Sequence, residues 1–151
     1  MAAPTLIFDF DSTLVRIETL EVLADIALAG HPEAEAIRAE VASLTERAMA
    51  GDIAFGEALR TRLKLLPLTR EHVLALADRI LDEGTPSVRR NLRFFNETAD
   101  RIISRSGGFR EVIAQIAERL GVRPDRVLCN DLVYDDLGRV TGVDDSNPLS
   151  R

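Results

Sequence analysis

The sequence predicts an α/β fold: an incomplete parallel sheet with an all-helical segment inserted after its first strand. Three observations predict it. A short apolar run, Leu6-Ile7-Phe8, ends in carboxylates at Asp9 and Asp11. That is the pattern of a buried parallel strand presenting polar groups at its carboxyl end. A long stretch of helical periodicity follows, and core-strand patterns return near 101–104 and 127–130 with one amphipathic helix between them. Strands alternating with helices in this way read as βαβ units.

The elements follow in order. Leu20, Leu23, Ala24, Ala27 and Leu28 fall at i, i+3, i+4, i+7 and i+8 of one helix, which Gly30 ends. Pro32 opens a long Ala- and Glu-rich helix from Glu33 to Ala50, broken by Gly51-Asp52. A third helix covers about 54–66. Thr69 caps a fourth, with Val73, Leu76, Ala77, Ile80 and Leu81 on one face, ending near Gly84. Thr85-Pro86 starts another helix, running to about Glu97. Arg101 to Ser104 is the second core strand. Ser106-Gly107-Gly108-Phe109 then leads into a helix with Ile113, Ile116, Ala117 and Leu120 on one face, closed by Gly121. Val127 to Asn130 is the third strand. Leu132-Val133-Tyr134 and Arg139-Val140-Thr141 form a hairpin, and 144–151 has no regular pattern. The expected organisation is a core of 1–15 and 85–151 with a helical cap of 16–84.

Bulk properties narrow the function. The chain has 151 residues, 46% hydrophobic and 29% charged, as in a soluble globular protein of one domain or a small domain with an insertion. A net charge of −6 argues against broad binding to nucleic acid or anionic membrane. Cys129 is the only cysteine, so no internal disulfide forms, and a cytoplasmic setting is expected. Cys129 reads as a small buried hydrophobe. No apolar stretch is long enough to span a bilayer, and the first residues lack a signal-peptide pattern. His31 and His72 read as surface or capping residues. Asp135, Asp136, Asp144 and Asp145 read as turn chemistry rather than as a metal site.

The chemistry concentrates at Asp9 and Asp11. Two acids this close repel unless a cation or a shared proton relieves them. Mg²⁺, a hard ion held by oxygens and commonly shared with phosphate, is the simplest relief. One carboxylate could then attack phosphorus while the other handles the leaving-group proton. Ser106-Gly107-Gly108, read as a strand-to-helix turn, suits an anion, because glycine lets the backbone approach and the first helical amides point at it. Taken alone, each feature has a plainer reading: a solvated turn with an Asp cap, and an ordinary glycine turn.

Together, Asp9-Phe10-Asp11-Ser12-Thr13-Leu14-Val15 and Ser106-Gly107-Gly108-Phe109 resemble the first two motifs of the haloacid dehalogenase-like (HAD) phosphatases, in their phosphoserine phosphatase branch. The resemblance implies a HAD-like Rossmannoid core with a helical cap, Mg²⁺ as cofactor, Asp9 as nucleophile and Asp11 as acid and base. It also implies metal ligation by Asp9 and by the backbone carbonyl of Asp11, and phosphate binding by Ser106 and the Gly107 amide. Ala48-Met49-Ala50-Gly51-Asp52-Ile53-Ala54-Phe55 and 58–66 are similar to that branch's cap. By resemblance Glu18 meets a substrate ammonium, Arg62 a carboxylate, and Met49 and Phe55 line the closed pocket. The plainer readings are a first-turn acid, a solvated helix residue and core. The implied activity is hydrolysis of a small phosphorylated substrate, O-phosphoserine first, with another small phosphate ester or a non-catalytic phospho-ligand-binding remnant as rivals.

The pattern departs from the family in one respect. The family's lysine and its second acidic motif have no counterpart, and Lys64, in the cap, is the only lysine. The expectation is therefore a core truncated at its C-terminal side, impaired in activity, with one edge of its first strand open to self-association.

Overall fold

The computed structural model describes residues 4–150. Three strands form a parallel sheet in the order β1 (Leu6–Phe8), β2 (Ile102–Phe109) and β3 (Val127–Asn130). Leu6, Ile7 and Phe8 pair with Ile102, Ile103 and Ser104, and Ser104 and Arg105 pair with Val127 and Leu128. β1 is thus an edge strand among the described residues, with Ile7 66% exposed. An unpaired edge of this kind offers its free backbone groups to any other strand.

Between β1 and β2 the chain is helical. It forms α1 (Thr19–Ala27), α2 (Ala34–Ala50), α3 (Phe55–Leu65), α4 (Arg70–Arg79), α5 (Pro86–Arg90) and α6 (Leu92–Thr98). Gly51 ends α2 at φ 82°, in the left-handed conformation glycine adopts without steric cost. Thr69 and His72 form a reciprocal cap at the start of α4, and His31 Nδ1 accepts from the Glu33 amide. The single helix expected from Thr85 to Glu97 is two, broken at Asn91, whose side-chain amide donates to the Ser87 carbonyl. Asn competes with the helical backbone in this way.

The two chain crossings into and out of the helical segment lie side by side. Val15 bridges Gly84, the Arg16 amide donates to the Glu83 carbonyl (2.9 Å), and the Thr85 amide donates to Leu14 (3.0 Å). After β2, α7 (Arg110–Arg119) packs on β2 and β3, and α4 packs on α7. One continuous hydrophobic core therefore runs from Leu23, Leu59 and Leu76 in the helical segment to Ile102 in the sheet and Val112 and Ile113 on α7. Cys129 sits in it, buried as expected. Phe95 of α6 packs on Phe8, ring centroids 5.3 Å apart. β4 (Leu132–Tyr134) and β5 (Val140–Val143) make the expected hairpin. Asp135 accepts from the Leu137 and Arg139 amides in its turn, and Asp144 accepts from the Ser146 amide in the next.

The largest departure from the sequence reading is at Ser106-Gly107-Gly108. It is not a turn: β2 continues through it to Phe109, with a register shift against β3 between Arg105 and Phe109. The first helical residue is Arg110, so the glycine amides belong to a bulged strand end and not to a helix N-terminus.

Candidate active site

The carboxyl end of β1 opens into a cavity of about 440 Å³. Asp9, Asp11, Glu18, Met49, Phe55, Arg62, Ser106 and Gly107 all line it, so the structure brings these eight candidate site residues together. Phe10 and Leu14, 0% and 2% exposed, anchor the turn that carries the two acids. This turn reverses sharply: Ser12 sits at φ 52°, a left-handed conformation uncommon outside glycine. Its amide donates to the Ile17 carbonyl (3.1 Å). Its hydroxyl donates to Glu18 Oε1 at 2.6 Å.

The two acids are held differently. Asp9 Oδ1 accepts from the Phe10 amide at 2.7 Å. Asp11 Oδ1 accepts from both the amide and the hydroxyl of Thr19. Burial pushes the Asp11 carboxyl up to about 6, against the Thr19 hydrogen bonds and with smaller help from the Glu18 and Asp9 charges. An acid tuned there is protonated often enough to give a proton near neutral pH and weak enough to take one back.

Opposite the acids, β2 presents a close backbone. Ser106 is 5% exposed, and its Oγ accepts from the Gly108 amide at 2.9 Å, which leaves the hydroxyl proton free to donate. A Cβ on Gly108 would lie 3.8 Å from Asp11 Oδ2, and one on Gly107 only 2.6 Å from Phe55 Cζ. Gly107 thus leaves room for the tip of Phe55, while a side chain at Gly108 would crowd Ser106 Oγ and Ile113 Cδ1, at 3.2 and 3.3 Å, more than the acid turn. Asn130, fully buried at the end of β3, donates from Nδ2 to the Gly107 carbonyl at 2.9 Å and fixes that peptide.

The helical wall is looser. Met49 is 85% exposed and Phe55 44% exposed, so both flank an open mouth here and not the closed pocket the resemblance implies. Arg62 is half-buried and is not a freely solvated helix residue. Its Nε donates to the Ala58 carbonyl and its Nη1 to Thr45 Oγ1. Burial pulls its guanidinium below the usual value, yet it has no carboxylate partner among the described residues. Glu18 precedes α1 at the N-cap position and makes no cap hydrogen bond with its side chain.

Thr19, Thr45, Ser12 and Asn130 were not visible as site residues in the sequence. Three are hydroxyls whose role depends on which charged side chain another element brings near them, and Asn130 reads simply as the last residue of a strand. Asp9 and Asp11, which line the cavity, bring oxygens of the kind a hard cation takes. No group of three His, Cys, Asp or Glu side chains assembles into a metal site among the described residues. Two protein oxygens suit Mg²⁺ in kind, since it keeps waters and takes phosphate oxygens to complete its shell.

A parallel sheet with two acids at its carboxyl end and a helical segment inserted beyond them is the arrangement of one hydrolase class. The chain belongs to the haloacid dehalogenase-like hydrolase family, whose model matches residues 6–149. Human phosphoserine phosphatase is 31% identical over 149 residues, 99% of this chain and 63% of that protein. A phosphoserine phosphohydrolase-like protein from Francisella tularensis superposes with a TM-score of 0.84 at 26% identity, over 98% of this chain and 68% of that one. A phosphoserine phosphatase solved as a phospho-aspartyl intermediate analogue gives 0.69 at 34% identity, over 93% and 62%. The chain thus spans under two thirds of the length of the human relative. No helix among the described residues is long and apolar enough to cross a membrane.

Proposed function

We propose that this chain carries the site of a Mg²⁺-dependent phosphomonoester hydrolase acting on O-phosphoserine through an aspartyl-phosphate. The observation that carries the reading is one cavity lined by an acid pair, a backbone cradle, a carboxylate and an arginine that has no acid partner among the described residues. These match, group for group, a phosphate ester with an ammonium and a carboxylate attached.

The steps follow from the residues. The Asp9 carboxylate attacks phosphorus in line, and the bond from phosphorus to the serine oxygen breaks. Asp11 gives its proton to that oxygen, so serine leaves neutral at the hydroxyl. Asp11, now ionised, takes a proton from the incoming water, whose oxygen attacks phosphorus and frees Asp9 and phosphate. The Ser106 hydroxyl and the Gly107 amide donate to the phosphoryl oxygens, where charge develops. Glu18 receives the ammonium and Arg62 the carboxylate, which a guanidinium can grip with two parallel N–H bonds. Met49 and Phe55 cover the apolar stem and exclude water on closure. Asp9 and the Asp11 carbonyl would hold Mg²⁺, which when bound would supply positive charge to the phosphoryl group. The solved phospho-aspartyl analogue of a relative supports the covalent route.

The test is phosphate release from O-phosphoserine with Mg²⁺. Asp9→Asn is expected to lower it by at least about a thousandfold, since it removes the nucleophile. Chelation of the metal should do the same, reversibly. Undiminished release by the variant would overturn the reading.

A second reading is favoured by one observation: among the described residues Arg62 is the only cation lining the cavity, and Lys64 lies outside it. On that reading the chain binds the phospho-ligand without turnover, and calorimetric binding with no phosphate release would establish it. The setting that fits either reading is a reducing cytoplasm, and the open β1 edge is where self-association would occur, read by size-exclusion chromatography.

A further inference from the structure

We infer that Thr45 sets the ligand preference of the cavity by holding the Arg62 guanidinium in place for a ligand carboxylate. The inference rests on the carboxylate role proposed above for Arg62.

Thr45 is on α2 and Arg62 on the neighbouring α3, and both line the cavity. The Thr45 hydroxyl has one proton, and it donates that proton to the Val41 carbonyl at 3.0 Å. Its oxygen therefore faces Arg62 as an acceptor, and Nη1 donates to it at 3.2 Å. From its own helix the Ala58 carbonyl accepts from Nε at 3.3 Å. The planar guanidinium is thus fixed along two of its edges by neutral acceptors, while Nη2 has no partner among the described residues.

The contrast with other arginines is informative. Arg38, Arg60 and Arg110 each meet an acid of the protein. Arg62, half-buried, meets none among the described residues, so its charge is oriented but has no acid beside it there. A long flexible side chain loses much rotamer freedom when it grips a ligand. Here the Thr45 contact has removed that freedom in advance, which strengthens binding only for ligands that use the guanidinium. Thr45 is accordingly a positioning residue, acting through Arg62.

The experiment is calorimetric titration in metal-free buffer, where no ester is turned over, with O-phospho-L-serine and with O-phosphoethanolamine, which lacks the carboxylate. Thr45→Val keeps the side chain's shape and removes the acceptor. It should weaken phosphoserine by about tenfold, the size of one hydrogen bond to a charged group, and leave phosphoethanolamine within about twofold. Thr45→Ser keeps the hydroxyl and should restore phosphoserine affinity. Equal weakening of both ligands, or no weakening of phosphoserine, overturns the inference. Arg62→Ala separates this from the parent reading. If that variant discriminates between the ligands and Thr45→Val does not, only the role of Thr45 falls. If Arg62→Ala weakens both equally, or the unmodified chain binds neither ligand, both fall.

Discussion

The two sides of the cavity are built to different standards. On the sheet side each group is fixed. Asp11 is held by two donors from Thr19, Ser106 is bonded to the Gly108 amide, and the Gly107 carbonyl is tied to the fully buried Asn130. On the helical side Met49 stands almost free and Phe55 is half in solvent. Only the two charged groups are restrained there, Glu18 by the Ser12 hydroxyl and Arg62 by the Thr45 hydroxyl and the Ala58 carbonyl. On the proposed function, the difference is a division of labour. Groups that move protons and meet phosphorus need fixed geometry before the substrate arrives. Groups that cover the substrate need room to let it in.

The comparison can be broken or sharpened by substitution. The largest effect should come from the fixed side. Asp11→Asn removes the proton donor and should lower phosphate release by about a hundredfold or more, yet make the fold more stable at pH 7. The sign follows from its raised carboxyl. Between the unfolded value of 3.8 and about 6 the folded chain holds that proton more tightly than the unfolded one, so ionising Asp11 costs stability as pH rises through this window. At ~1.36 kcal/mol per unit, and discounted for partial exposure, the recovered stability is about 2 kcal/mol at pH 7 without divalent metal. It should vanish below about pH 4. Denaturant melts at the two pH values measure it, and an equal change at both would refute the account.

Gly107→Ala tests the contact between the two sides. The added methyl meets the tip of Phe55 at 2.6 Å, the far end of a side chain that can swing into solvent. Stability should fall by less than about 1 kcal/mol, while phosphoserine affinity falls about tenfold as the wall is pushed off the phosphate cradle. The smallest change belongs to the free side. Met49→Ala should leave the melting temperature unaltered, because the side chain is 85% exposed, and should weaken the ligand by roughly threefold if Met49 packs on it after closure. A measurable loss of stability would mean that Met49 is already packed in the free protein.

What the sequence revealed divides along the same line. The apolar run into Asp9 and the 3.6-residue periodicities of α1, α4 and α7 were legible because burial writes itself into spacing. So was the nearness of Asp9, Asp11 and Ser106, because short motifs carried it. The strand passing through Ser106-Gly107-Gly108 was not legible, since glycines in series read as a turn and only pairing with β3 reveals the bulge. Thr19 and Thr45 were hidden for another reason. A helical threonine looks like filler until the fold brings a carboxyl or a guanidinium within reach. The exposure of Met49 depends on how far the helical wall stands from the sheet, and local sequence does not encode that distance.

Cys129 has a practical consequence. Its thiol is walled in at 1% exposure, and burial lifts its pKa to about 11, so almost no thiolate exists at neutral pH while the fold is intact. Being the chain's sole sulfhydryl, it is a built-in clock for opening of the sheet layer. A thiol-reactive dye should label it only as fast as β3 comes apart.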